Sequence, residues 1–139
     1  MTFEQLPEQV GQEVAVTDWV RIVQNRIAAF AEATDDRQWI HLRPEGAIAH
    51  GFLTLSMLSH LSENVLPVEG LRMRINYGLN RVRFPTPVPS GSSIRARFVL
   101  QSVKSTEAYA DVTLAVTGEL QGSEKPCCVA EWIVRYYRS

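Results

Sequence analysis

A carboxylate and an imidazole stand five positions apart at Asp36 and His41, where the polar run Thr34-Asp35-Asp36-Arg37-Gln38 meets Trp39-Ile40-His41. On a loop, this spacing lets both side chains reach one water, the pairing that acid–base chemistry near neutral pH requires. Taken alone the arrangement is ordinary, because a helix stop followed by a hydrogen-bonded histidine reads the same way. The next residues strengthen it: Ala47-Ile48-Ala49-His50-Gly51 leads into the apolar run Phe52 to Leu61. The first N–H groups of a helix have no intrahelical acceptor, and a glycine leaves its N–H accessible, so the Gly51 N–H can receive a developing oxyanion. Tight packing would account for Gly51 equally well, and His50 reads as a polar residue near a helix start.

These residues need elements to hold them. Ile27, Phe30, Ala31 and Thr34 recur at helical spacing, which predicts a helix over about 24–34, preceded by a strand at Trp19-Val20-Arg21-Ile22 and closed by Thr34-Asp35-Asp36. A second helix is expected over about residues 50–64, apolar or small nearly all round and therefore buried. Beyond Pro67 the period changes to two. Leu71, Met73 and Ile75 alternate with Arg72, Arg74 and Asn76, and further rows run through Ile94-Ala96-Phe98, Val112-Leu114-Val116 and Val129 to Tyr137. Turn chemistry lies at Pro85–Ser92 and Gly118–Pro126. Helices first and hairpin-linked strands afterwards define an α+β class, here expected as an antiparallel sheet wrapped around the helix at 50–64.

Composition excludes several roles. Fourteen Lys plus Arg against fifteen Asp plus Glu give a net charge of −1, so there is no basic surplus to neutralise nucleic acid. No apolar run approaches the roughly 20 residues of a membrane span and the first ten residues lack signal-peptide character, so a cytoplasmic protein is expected. The 139 residues carry no repeat or Gly/Ser-rich linker, which predicts one domain over 1–139. Cys127 and Cys128 are adjacent, which disfavours a disulfide and reads as two small strand residues in a reducing compartment. His41, His50 and His60 include no pair at i, i+4 and have no cysteine close by, so no metal site is expected. There is no cofactor motif.

The run Ala33 to His41, with Ala49-His50-Gly51, resembles the signature of MaoC-like (R)-specific enoyl-CoA hydratases, the hydratase 2 group with a hot dog fold. Asn76 to Gly91, including Phe84-Pro85-Thr86-Pro87-Val88, is similar to the corresponding strand and turn of the nodulin-like branch. The resemblance implies that Asp36 and His41 activate the water that adds to a trans-2-enoyl-CoA, giving a (3R)-3-hydroxyacyl-CoA, or remove it in reverse. It implies that the Gly51 N–H holds the thioester oxygen, that Ser59 supports the catalytic pair, and that no cofactor is needed beyond the coenzyme A of the substrate. A homodimer is implied as well. Asp35 stands where the family usually has glycine, Gln38-Trp39 replaces its Asn-Pro pair, and the segment between His41 and His50 is shorter than in relatives: either the acyl pocket is more open, or a further loop belongs between Arg43-Pro44-Glu45 and Gly46-Ala47-Ile48. Arg37, Arg43, Arg81 and Arg83 are positioned as candidates for the coenzyme A phosphates, although alternating arginines on a strand also mark a solvated face. A thioesterase or a non-catalytic acyl-binding module on the same fold are the alternatives.

Overall fold

Strict alternation in the last third of the chain produces the centre of the sheet. In the computed structural model, which covers residues 1–139, strand β5 (Tyr109–Leu120) buries Ala110, Val112, Leu114, Val116 and Leu120 on one face. Its antiparallel neighbours are β4 (Ser93–Ser105), which buries Ile94, Ala96, Phe98 and Leu100, and β6 (Cys128–Arg138), which buries Ala130, Trp132, Val134 and Tyr136. Side chains at every second position share a face, so three period-2 rows in register build one apolar surface. Strand β1 (Glu13–Val16) and the short β2 (Val20–Arg21) pair with the far side of β4, and β3 (Leu71–Arg83) pairs with β6, giving the order β1-β4-β5-β6-β3.

The helical layer comes from the first half of the chain. Helix α1 (Gln24–Thr34) spans the expected residues and buries Ile27 and Ala31. Three short helices come after it: α2 (Trp39–Leu42), α3 (Gly51–Ser56) and α4 (Leu58–Leu61). Leu53, Met57, Leu58 and Leu61 join the sheet residues in one core of 26 buried side chains.

The expected sheet wrapped around a single helix at residues 50–64 is not what forms. The sheet is open, with β1 and β3 at its two ends, and it is neither closed nor curled around a helix. The helical run is itself divided at Met57 and stops at Leu61. One contributor is local: just before the division the Ser56 hydroxyl donates to the Phe52 carbonyl at 2.7 Å, a back-bond of the kind that weakens a helix. The other is Pro67, which bars helical geometry at the residue before it; buried Leu66 sits at φ 49° instead. Helices of six and four residues cannot supply an axis for a sheet to enclose, so they lie against its core face.

Strand β3 departs from its sequence pattern as well. Beyond Leu71, which packs against the core, its apolar row turns outward: Met73 and Ile75 are about two-fifths exposed. Two residues of the polar row stand on the inward side instead, Arg74 opposite Tyr136 and Asn76 opposite Val134. Unpaired polar groups on that side explain the choice. Arg74 donates to the Ser62 and Glu63 carbonyls at 3.1 and 3.0 Å, just past the end of α4, and Asn76 Oδ1 accepts the Trp132 indole N–H at 2.8 Å. Replacing Arg74 with methionine should therefore cost about 1–3 kcal/mol by stranding those carbonyls, whereas Arg72→Met, at an exposed position two residues earlier, should stay within about 0.5 kcal/mol. Urea unfolding of the two variants measures the difference.

Candidate active site

Helix α1 ends in a left-handed turn. Asp35 adopts φ 59°, ψ 19°, the conformation that usually selects glycine at a helix C-terminus and that a short polar side chain tolerates. The reversal separates the two neighbouring carboxylates. Asp35 points outward and pairs with Arg37 at 2.8 Å, while Arg37 also clasps Glu32 at 2.7 and 3.1 Å. Asp36 is left to turn inward toward the histidines, with one carboxylate oxygen near the Gln38 N–H at 3.5 Å.

His41 lies on α2, nearly fully buried. Its Nδ1 is 2.8 Å from the Ile48 carbonyl, and because a carbonyl only accepts, Nδ1 carries the proton and Nε2 is left as an acceptor. The carbonyl of His41 accepts from Gln24 of α1 at 2.8 Å. Ile48 is held in turn: its N–H bonds to Ile40 O, Ala49 N–H to Val88 O and Ser90 N–H to Ala47 O. The Pro87-Val88-Pro89 turn, remote in sequence, thus fixes the segment that orients His41.

His50 is the residue whose position sequence reasoning missed. It is 2% exposed, stacks on His41 with ring centroids 3.6 Å apart and planes inclined by 22°, and packs against Phe30 at 4.9 Å. Its Nε2–H donates to the backbone carbonyl of Asp36 at 2.9 Å. The available signal was the apolar Ala47-Ile48-Ala49 stretch before it, which predicts a chain entering the core. One nitrogen from each imidazole and an Asp36 carboxylate oxygen lie within 4.8 Å of one another. Two imidazoles and a carboxylate can serve as a metal donor set. One nitrogen of each ring is already committed to a backbone carbonyl, His41 Nδ1 to Ile48 and His50 Nε2 to Asp36, so each imidazole keeps one nitrogen free.

Gly51 opens α3 next to this cluster, with its N–H ahead of the first helical bonds, which run from Leu53 and Thr54 to His50 O. A Cβ there would lie 2.9 Å from Cδ2 of Phe84, so the glycine permits the ring to lie flat against the backbone. Gly51, His41, Thr54, Phe84, Val88 and Cys127 border a common cavity of about 290 Å³. Ser59 is not on it. The α4 serine borders two smaller cavities of about 150 and 100 Å³, with Asn76 and Trp132. Burial pushes the thiols of Cys127 and Cys128 up to about 11 and about 12, so both are protonated and poorly nucleophilic at neutral pH. Of the four candidate arginines, Arg37 is engaged by carboxylates and Arg43 by the Gly46 carbonyl and the Trp39 ring, leaving Arg81 and Arg83 without a carboxylate partner.

An α+β hot-dog-type fold in which a carboxylate and two imidazoles cluster, one of them, His41, bordering a cavity of largely apolar lining, defines a candidate acid–base site. The chain belongs to the family of MaoC-like domains, whose model matches residues 5–120. It is 46% identical, over 97% of its own length and 97% of the relative's, to 3-hydroxyacyl-thioester dehydratase Z of Mycobacterium tuberculosis. It is 40% identical to nodulation protein N of Rhizobium leguminosarum bv. viciae over 96% and 89% of the two chains. Among solved structures it is similar to an (R)-hydratase from A. caviae involved in PHA biosynthesis, with TM-score 0.69, 28% identity and coverage of 90% and 94%. The first of these alignments spans 147 positions, more than the chain contains, so that relative carries residues this chain lacks.

Because Asp35 occupies a left-handed turn and faces away from the cluster, Asp35→Gly should raise stability by about 0.5–1 kcal/mol, the surface pair with Arg37 contributing little. Thermal unfolding, with activity measured alongside, checks that the site is untouched.

Proposed function

We propose that the chain, acting as one domain, catalyses the reversible addition of water to trans-2-enoyl-CoA to give (3R)-3-hydroxyacyl-CoA. The broader class is an (R)-specific hydratase/dehydratase of acyl thioesters, a lyase. The observation that carries this reading is the meeting of Asp36 with an His41 ring whose Nδ1–H is committed to Ile48, leaving the other nitrogen free to accept a proton. Family membership and the 46% identical dehydratase support it.

In the hydration direction, water sits between Asp36 and His41, and its oxygen forms the new bond to C3. One water proton passes to the pair as the C2–C3 π electrons move toward the thioester carbonyl. The negative charge that grows on the thioester oxygen is met by the Gly51 N–H, and return of a proton to C2 completes the addition. The thioester already acidifies C2, so the protein's part is to place water, move one proton and stabilise an oxyanion. Ser59, bordering the cavities beyond Gly51 on the same helical run, serves the acyl end better than the catalytic pair.

A homodimer fits the long free edge of β3, whose Met73, Ile75 and Tyr77 are exposed. No helix is long and apolar enough to cross a membrane, and the two free thiols fit a reducing, cytoplasmic setting.

Incubation with crotonyl-CoA should consume the enoyl-thioester absorbance without releasing free thiol. Thiol release would indicate a thioesterase, and neither signal would indicate a binding module. Asp36→Asn and His41→Ala should each lower kcat by about 10²-fold or more, and either variant keeping near wild-type hydration would remove its residue from the mechanism. Light scattering on the eluted protein should give twice the 15.6 kDa chain mass.

A further inference from the structure

His50 presents a buried polar atom with nothing to bond to. Its Nε2–H is spent on the Asp36 carbonyl at 2.9 Å, and in a neutral imidazole this makes Nδ1 an acceptor. That Nδ1 is buried and has no hydrogen-bond partner in the protein. Buried acceptors left without a donor are costly, so such an atom points to a small donor that the site is built to receive.

The surroundings say which. The ring cannot swing away, because it is clamped between His41 at 3.6 Å and Phe30 at 4.9 Å and tethered to the loop carrying Asp36. One nitrogen from each imidazole and an Asp36 oxygen lie within 4.8 Å of one another, a cluster of the size that one bridging oxygen atom spans. The ring nitrogens not committed to carbonyls, His41 Nε2 and His50 Nδ1, and the Asp36 carboxylate offer only lone pairs, and a water brings two hydrogens.

We propose that His50 is a third member of the water site, its Nδ1 accepting one hydrogen of the reacting water while the other is directed at the Asp36–His41 pair. The inference rests on the hydratase reading. The balance is unchanged by it: the O–H bond facing the pair breaks as oxygen bonds to C3, the O–H held by His50 survives as the new hydroxyl, and a proton is returned to C2. His50 thereby selects which hydrogen leaves and aims the oxygen lone pair. In dehydration it holds the departing hydroxyl by the same hydrogen bond.

Two variants separate this role from a structural one. In His50→Gln the amide nitrogen reaches the Nε2 position and keeps the bond to the Asp36 carbonyl but loses the Nδ1 acceptor. In His50→Asn the side-chain amide reaches only the Nδ1 position and loses that anchor. With crotonyl-CoA, His50→Gln should lose about tenfold to a hundredfold in kcat with KM changed by less than about threefold, and His50→Asn should retain more kcat than His50→Gln. The reverse order, with the anchored variant the more active, would show that His50 only braces the loop and would overturn the proposal. A high-resolution crystal structure of the unaltered protein reads the same point without turnover and without variants that must fold. A water within 3.5 Å of both His50 Nδ1 and the Asp36 carboxylate supports the proposal, and no water at Nδ1 overturns it. Unaltered protein that leaves crotonyl-CoA unchanged would defeat the hydratase reading alone, because the crystallographic water is observed independently of the reaction.

Discussion

The hydrogen bond from His41 Nδ1 to the Ile48 carbonyl, 2.8 Å long, is the constraint on which the site depends. It fixes the tautomer of His41, and with it the nitrogen that can act as a base. It also ties α2 to a segment that the Val88 region holds from across the chain. A short helix such as α2 has little stability of its own, so the placement of His41 comes from these long-range bonds.

The same logic governs the neighbouring groups. The left-handed turn at Asp35 sends one carboxylate to Arg37 in solvent and the next toward the imidazoles. A helix continuing past Thr34 would have set Asp36 about 100° around its axis from Asp35, on the face set by α1. His50 then closes the loop by bonding the Asp36 carbonyl, so the backbone that carries the carboxylate and the ring that stacks on His41 are one unit. Chemistry and scaffold are coupled here through main-chain carbonyls, groups whose availability sequence does not advertise.

Sequence spacing carried a good part of this. Helix α1 and the buried rows of β4, β5 and β6 were legible because each rests on local periodicity, and three adjacent strands with the same alternation have few ways to pair. Asp36 and His41 were legible for a related reason, since five residues of loop limit how far apart the two side chains can be. The break at Met57 was not legible. It depends in part on whether Ser56 bonds back to Phe52 or turns to solvent, a choice between two local geometries that the residue type leaves open. The inward placement of Arg74 and Asn76 on β3 was hidden for a different reason: period-2 patterning says that two faces differ, and apolar residues are only by default the inner ones.

The amino-acid sequence by itself determined the α+β class, the apolar rows that become the sheet, and a carboxylate–imidazole pair close to the opening of an apolar helix. Tertiary structure alone decided that the sheet stays open, that Asp35 leaves the site, and that His50 enters it. The physical reason is common to all three. Periodicity and short spacing are properties of neighbouring residues, whereas the free nitrogen of an imidazole and the inner face of an edge strand are set by which distant polar groups, Ile48 O, Asp36 O and the carbonyls past α4, arrive beside them.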